Sequence, residues 1–236
     1  MPASSHHWKF VATLAKRLRQ TTLSLFSYPL TPDCPVSVAM PRLKTLYDCI
    51  LKQSAKADER VIFAGDSAGG NIVLSLVLWA TASNETEEGN CPAGVMVLSP
   101  STDLRHGDAG MKTAAKFDPL LSIRFVNSTA EAWCAGGLLS NEHPAQWSAE
   151  DRRVSPILGS LGNLAKHDIQ IHGVVGTWDV LAPEAIQFME SCKELGVRGK
   201  WLVWEGQMHC FPLAFRYSLS ESIRALDWIV RVLQEI

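Results

Sequence analysis

Apolar positions along this chain follow two rhythms. Short, nearly continuous apolar runs alternate with longer stretches in which apolar residues recur every three or four positions, the pattern of buried strands separated by amphipathic helices. Phe10, Val11, Leu14 and Leu18 recur at helical spacing and predict a first helix from about Trp8 to Arg19, with Ser5 as its cap. TLSLFSY at 22–28 reads as a strand closed by Pro29 and Pro32. Leu43, Leu46, Tyr47 and Ile50 share one face of a second helix over Ala39 to Leu51. RVIFAG at 60–65 predicts a short strand in the middle of a parallel sheet, followed directly by a helix over Ala68 to Ala82. GVMVLSP at 94–100 is the next strand. Further on come a strand at 168–176, a helix from Pro183 to Leu195 ending at Gly196, a strand at 200–206 and a closing helix from Tyr217 to Ile236. Strands and helices in alternation predict the α/β class, with a reduced, mostly parallel sheet of about five strands flanked by helices.

Between Leu104 and Arg153 the alternation stops. Phe117, Leu120, Leu121, Phe125, Trp133 and Trp147 stand there among many small residues, which predicts a helical, cap-like insertion at 104–153 within one domain spanning 1–236. Composition supports a single globular unit: 236 residues, 47% apolar and 19% charged, is a chain able to bury its own core. With 22 basic and 24 acidic side chains the net charge is −2, which gives no electrostatic reason to expect nucleic acid or an anionic membrane surface as partner. MPASSHHWKF shows no secretory leader. The most apolar helical run, Ile72 to Ala82, contains Ser75 and is far short of the roughly 20 residues a membrane span needs. Six cysteines are scattered without a C-x-x-C pair or zinc spacing, so reduced thiols in a cytoplasmic protein are expected. No metal or organic cofactor is implied.

The candidate chemistry lies where the strand at 60–65 meets the helix at 68. Gly65-Asp66-Ser67-Ala68-Gly69 fits G-x-S-x-G, and glycines there permit a sharp strand-to-helix turn that exposes a strained serine above the sheet. The helix N-terminus puts the Ala68 N–H where a developing oxyanion can be stabilised. A serine hydroxyl needs a base, and the base needs an orienting group. Asp179 and His209 each lie just beyond a predicted strand end, and parallel strands bring such ends to one edge. Asp103 also follows a strand and reads as a loop or capping residue. His172 lies inside a strand and reads as a core or surface histidine. His106, His143 and His167 fall in irregular segments, while His6 and His7 begin the first helix and can approach the pocket. Trp133, Trp147 and Trp178 are candidates for an acyl or alcohol pocket or, equally, for core packing.

Together these residues resemble the hormone-sensitive-lipase-like branch of the α/β-hydrolase fold. The matching segments are Gly65-Asp66-Ser67-Ala68-Gly69-Gly70-Asn71, SYPLTP at 27–32, GTWDVLAPEA at 176–185 and Gly206-Gln207-Met208-His209. The resemblance implies Ser67 as nucleophile, His209 as general base and Asp179 as its orienting carboxylate. Asp66, Gly65 and Gly69 would shape the elbow, and Ala68 would supply an oxyanion donor. One departure stands out: the family's HGGG-type oxyanion motif is absent, since no His-Gly-Gly occurs in the chain. The first strands of the family sheet have no counterpart either, which predicts an N-terminally shortened hydrolase in which 22–28 pairs directly with 60–65.

The function expected is hydrolysis of a carboxylic ester, or thioester, of a small to medium apolar substrate through an acyl-Ser67 intermediate. Acyl transfer to an internal hydroxyl or amine, as in a lactonising cyclase or thioesterase, remains open, as does a weakly active or inactive truncated homologue. A ligand-binding receptor that has lost its catalytic histidine is the reverse of the pattern here, since His209 is present. The reading leaves open a homodimer.

Overall fold

Residues 94–98 show how the sheet is built. Val95 and Val97 enter the core on one side while Met96 and Leu98 enter the core on the other, the period-two alternation of a strand covered on both faces. The computed structural model describes residues 3–82, 91–135 and 147–236. In it four parallel strands lie side by side in chain order: β1 (Ile62–Asp66), β2 (Gly94–Leu98), β3 (Gln170–Gly176) and β4 (Trp201–Trp204). The register pairs Ala64 with Met96, Met96 with His172 and Val174 with Leu202. All four strands therefore end on one edge, and the loops bearing Ser67, Asp179 and His209 leave from it.

Helices cover both faces. Phe10 and Leu14 of α1 (Ser5–Arg17) and Leu226 and Ile229 of α8 (Ser220–Glu235) pack over Met96 and Leu98. Each such side chain, once buried, is worth about 1.5–3 kcal/mol, which anchors a helix too short to be stable alone. Met40 and Tyr47 of α2 (Val36–Lys56), Leu74 and Val77 of α3 (Ala68–Thr81) and Phe188 of α7 (Ala182–Glu194) fill the opposite core. Apolar on nearly every side, α3 is a buried helix and not an amphipathic one. The cap of α1 is Ser4 rather than Ser5: Ser4 Oγ accepts the His6 N–H at 3.2 Å, and the Ser4 N–H is donated to His7 Nδ1 at 2.9 Å. The last helix begins at Ser220 rather than Tyr217, because Ser218 turns left-handed at φ 59 after a tight turn over Phe211–Tyr217.

Two sequence expectations about the sheet fail together. Residues 22–28 form no strand, so the described sheet has four strands and not five. Without that partner β1 is an edge strand rather than a central one, and its Ala64 is exposed. Side chains hold 22–28 instead: Leu23 packs on the α1–α8 core and Tyr28 on the α2–α3 core, while Leu25 and Phe26 face solvent. The stretch 104–153 contains α4 (Met111–Ala114) and α5 (Ile123–Ala135), with no strand among the described residues. A short helix, α6 (Gly162–Lys166), leads back into β3.

Candidate active site

Ser67 sits between β1 and α3 at φ 53, ψ −118, a backbone state that costs a residue with a Cβ on the order of 1–3 kcal/mol. Its neighbours enforce the turn. A Cβ on Gly65 would stand 2.3 Å from the Gly69 carbonyl oxygen, so only glycine lets the strand and the helix approach this closely. Gly69 acts through that carbonyl, since a Cβ of its own would meet open space. The Ser67 N–H is donated to Leu98 O at 2.9 Å, and Ser67 O accepts the Ser101 N–H at 3.3 Å, which ties the turn to the end of β2. Asn71, buried one turn into α3, donates from Nδ2 to Ser101 O at 2.9 Å and to Val154 O at 2.8 Å, clamping the same loop. Ala68 is the first residue of α3 and is exposed, and the N–H groups of a helix's first turn lack intrahelical acceptors.

Asp66 points its Oδ2 at His7 Nε2, 3.2 Å away, so the N-terminal end of α1 docks beside the turn. The Asp66 hydrogen bond holds His7 above the ordinary imidazole range, against the opposing effect of burial. His6, the other expected neighbour, contacts the Tyr217 hydroxyl at 3.0 Å.

On the loops after β3 and β4 the structure joins Asp179 to His209. Asp179 is fully buried; its Oδ2 meets His209 Nδ1 at 2.9 Å and its Oδ1 accepts the Leu181 N–H at 2.9 Å. The two loops are laced together, with Trp178 N–H to Gln207 O at 3.0 Å and Gly206 N–H to Thr177 Oγ1 at 2.9 Å. Gly176 permits that approach: a Cβ there would stand 2.3 Å from Gln207 O. Burial disfavours charge on the His209 ring, yet Cys210 and the Asp179 carboxylate outweigh it and hold the ring well above the ordinary imidazole range. Among the described residues Ser67 Oγ makes no hydrogen bond to His209; the Nε2 atom meets the Cys210 sulfur at 3.4 Å.

Other expected residues lie elsewhere. Asp103 is bound by its neighbour Arg105 at 2.6 Å; burial pushes its carboxyl up, and the guanidinium and backbone bonds more than reverse this, leaving it below the usual range. His172 is buried in β3, accepts the Lys200 N–H at 3.0 Å, and is pushed down to about 4 by burial. His167 follows α6, and His143 lies outside the described residues. Trp133 is buried in the core with Val154 and Leu161, and Trp147 packs edge-on against Trp79 under the Arg153 guanidinium. Trp178 alone of the three tryptophans is exposed, stacked on Phe117 of the 104–153 stretch with ring centroids 5.6 Å apart. A depression of about 530 Å³ lined by Leu104, Ala130 and Trp147 contains none of the Ser67, Asp179 and His209 group. His106 and Glu184, paired at 3.1 Å and almost wholly buried, had no signal in the sequence because 78 residues separate them. Among the described residues no three His, Cys, Asp or Glu side chains gather as metal ligands, and no helix is long and apolar enough to cross a membrane.

Esterases and lipases are among the known proteins similar to this chain. The chain is 26% identical over 207 residues to an esterase of Acinetobacter venetianus, covering 88% of this chain and 62% of that protein. It is 26% identical over 159 residues to the hormone-sensitive lipase of Homo sapiens, covering 66% of this chain and 14% of the lipase. It therefore spans less than two thirds of these relatives' length. Among solved structures, an esterase/lipase from an uncultured bacterium superposes with TM-score 0.79 at 24% identity, covering 98% of this chain and 70% of that one. EstE5 soaked with p-nitrophenyl butyrate gives TM-score 0.76 at 25% identity, covering 97% and 68%. A family profile of the alpha/beta hydrolase fold matches residues 1–213, and this chain belongs to that family.

Proposed function

We propose that the protein hydrolyses carboxylic esters of small to medium apolar substrates, with Ser67 as nucleophile, His209 as general base and Asp179 as the carboxylate that orients it. The observation that carries this reading is the buried 2.9 Å bond from Asp179 to His209 Nδ1, on the same sheet edge as a serine at φ 53. With its proton fixed on Nδ1, His209 keeps the Nε2 lone pair for the Ser67 hydroxyl proton. Ser67 Oγ then bonds to the ester carbonyl carbon, whose oxygen takes the negative charge beside the Ala68 N–H. His209 returns the proton to the departing alcohol. Water, deprotonated by His209 in its turn, attacks the acyl-serine, and collapse releases the acid and restores Ser67. Catalytic hydrogen bonds are often open before substrate binds, so the step begins with Nε2 exchanging the Cys210 sulfur for Ser67 Oγ.

The substrate preference rests on Trp178 and Phe117. Their stacked, exposed rings, with Trp178 next to Asp179 in the chain, give an apolar group a surface at the rim. Hydrolysis of p-nitrophenyl esters from acetate to octanoate, by the wild type and Ser67→Ala, tests the reading. Wild-type turnover is expected to favour the short and medium chains, and Ser67→Ala to abolish it. Equal turnover by Ser67→Ala overturns the mechanism.

A further inference from the structure

The Cys210 thiol is buried beside the histidine and is left chemically unchanged by the reaction so described. Its sulfur lies 3.4 Å from His209 Nε2 and 3.7 Å from the Leu98 carbonyl oxygen. That same oxygen accepts the Ser67 N–H at 2.9 Å. The thiol therefore stands between the histidine and the backbone of the nucleophile turn. Cys210 has φ 49 and ψ 33, a left-handed conformation that is strained for a residue with a Cβ and relaxed for glycine. Ser99, at φ 47, shares the strain, and its Oγ accepts the Cys210 N–H at 2.9 Å. Two left-handed residues joined in this way set one sulfur against one ring nitrogen.

We propose that Cys210 is a positioning residue that engages His209 Nε2 in the resting protein, keeps it from Ser67, and strengthens the ring's hold on a proton. Its effect on turnover rests on the hydrolase reading above. The neutral ring accepts the S–H at Nε2, whereas the protonated ring donates Nε2–H to the sulfur. The second bond is charge-assisted and the stronger of the two, so the thiol favours the charged ring. Burial pushes the Cys210 thiol up, against the lowering effect of His209. When substrate arrives the S–H turns to Leu98 O and releases Nε2 to Ser67 Oγ; the thiol neither gains nor loses a proton. The other charged groups around this pair are Asp179, bonded at Nδ1, and Asp66 at the end of β1, itself paired with His7 of α1.

The test follows the His209 ring nitrogens by NMR across pH in the wild type, Cys210→Gly, Cys210→Ala and Cys210→Ser. Glycine relieves the backbone strain, so that variant keeps the fold while removing the thiol. The titration midpoint is expected to fall by about 0.5–1 pH unit in the Gly and Ala variants, the size of one modest hydrogen bond, and to return partway in Ser, whose hydroxyl plays both roles. Fluorophosphonate labelling of Ser67 at a pH below the wild-type midpoint should quicken about three- to tenfold in Cys210→Gly. A midpoint that does not move in either the Gly or the Ala variant, or a Ser variant identical to Ala, overturns the positioning role. If the midpoint moves as expected but Ser67 is never labelled, the positioning role stands and the hydrolase reading falls.

Discussion

Replacing Asp179 by Asn exchanges one oxygen for nitrogen in a fully buried side chain, and its surroundings leave the amide no good orientation. One carboxylate oxygen serves His209 Nδ1 and the other serves the Leu181 N–H, both at 2.9 Å. An amide has a single acceptor oxygen and an NH₂ that only donates. With the oxygen on His209, the Leu181 N–H faces an NH₂ and lies buried without an acceptor, at a cost of about 1–3 kcal/mol. With the oxygen on Leu181, the NH₂ faces Nδ1, and the ring must move its proton to Nε2. Swapping the tautomer costs less, so this arrangement prevails and leaves Nε2 unable to take the Ser67 proton. The same Asp-to-Asn exchange in a serine protease triad lowers kcat about 10⁴-fold, and Asp179→Asn is expected to slow p-nitrophenyl butyrate hydrolysis by a similar factor with little change in KM. A second readout is stability against pH. A histidine held above its ordinary value stabilises the fold fully below the unfolded value of about 6.5, and that contribution fades as pH rises through the folded value. Asn removes the carboxylate that favours the charged ring, so the Tm gap between wild type and variant should be wider at about pH 6 than at about pH 10. A kcat within about tenfold of wild type would show that the carboxylate does not set the tautomer; a Tm gap that widens with rising pH would show that it does not stabilise the charged ring.

Three further substitutions probe the frame around this pair. In Gly65→Ala the new methyl would stand 2.3 Å from Gly69 O and 2.7 Å from Gly70 N, backbone atoms that cannot step aside. Thermal denaturation should show a loss of about 1–3 kcal/mol or more, with Ser67 labelling abolished, whereas Gly69→Ala, facing open space, should hold or slightly gain stability; equal effects would contradict the packing argument. His172, pushed down to about 4 by burial, takes up its proton in the unfolded chain first, so wild-type stability should decline as pH falls from about 6.5. His172→Asn keeps an acceptor for the Lys200 N–H but does not titrate, and its Tm should decline less over that interval; parallel curves for the two proteins would refute the assignment.

The parts of the fold legible in sequence are those in which one residue's chemistry decides the outcome. β2 is apolar on both faces, and only a covered strand satisfies that. Gly65 and Gly176 mark close approaches at which a Cβ would meet backbone. The failure at 22–28 has a different cause. Alternation specifies which side chains share a face, but a strand exists only where a neighbour accepts its hydrogen bonds, and among the described residues none pairs with this segment. Leu25 and Phe26, which supported the strand, are left 37% and 50% exposed. For Trp133 a signal was present: Val126, Ala130 and Trp133, at positions i, i+4 and i+7, line the buried face of α5 and mark the tryptophan as core.

Backbone strain around the site supplies information that residue patterns cannot. Ser67, Ser99 and Cys210 all adopt positive φ near the C-terminal edge of the sheet, each at a cost of about 1–2 kcal/mol for a residue carrying a Cβ. Had the chain needed only the turn, glycine would give it without strain, as Gly206 does at φ 76 in the loop before His209. At all three strained positions the side chain has an interaction that glycine lacks. Ser67 offers the hydroxyl proposed as nucleophile, Ser99 Oγ accepts the Cys210 N–H, and Cys210 Sγ reaches His209 Nε2. Breaking a local rule is favourable only where the side chain returns more than the backbone loses, and such exceptions gather at functional sites. The strained trio thus separates Cys210 from the other five cysteines, none of which lies at positive φ among the described residues. For the same reason Cys210→Gly is the most informative single change at this site: the relieved backbone offsets part of what the lost side chain contributed, so the His209 midpoint is expected to fall while the protein stays folded, a pairing that loss of packing alone would not produce.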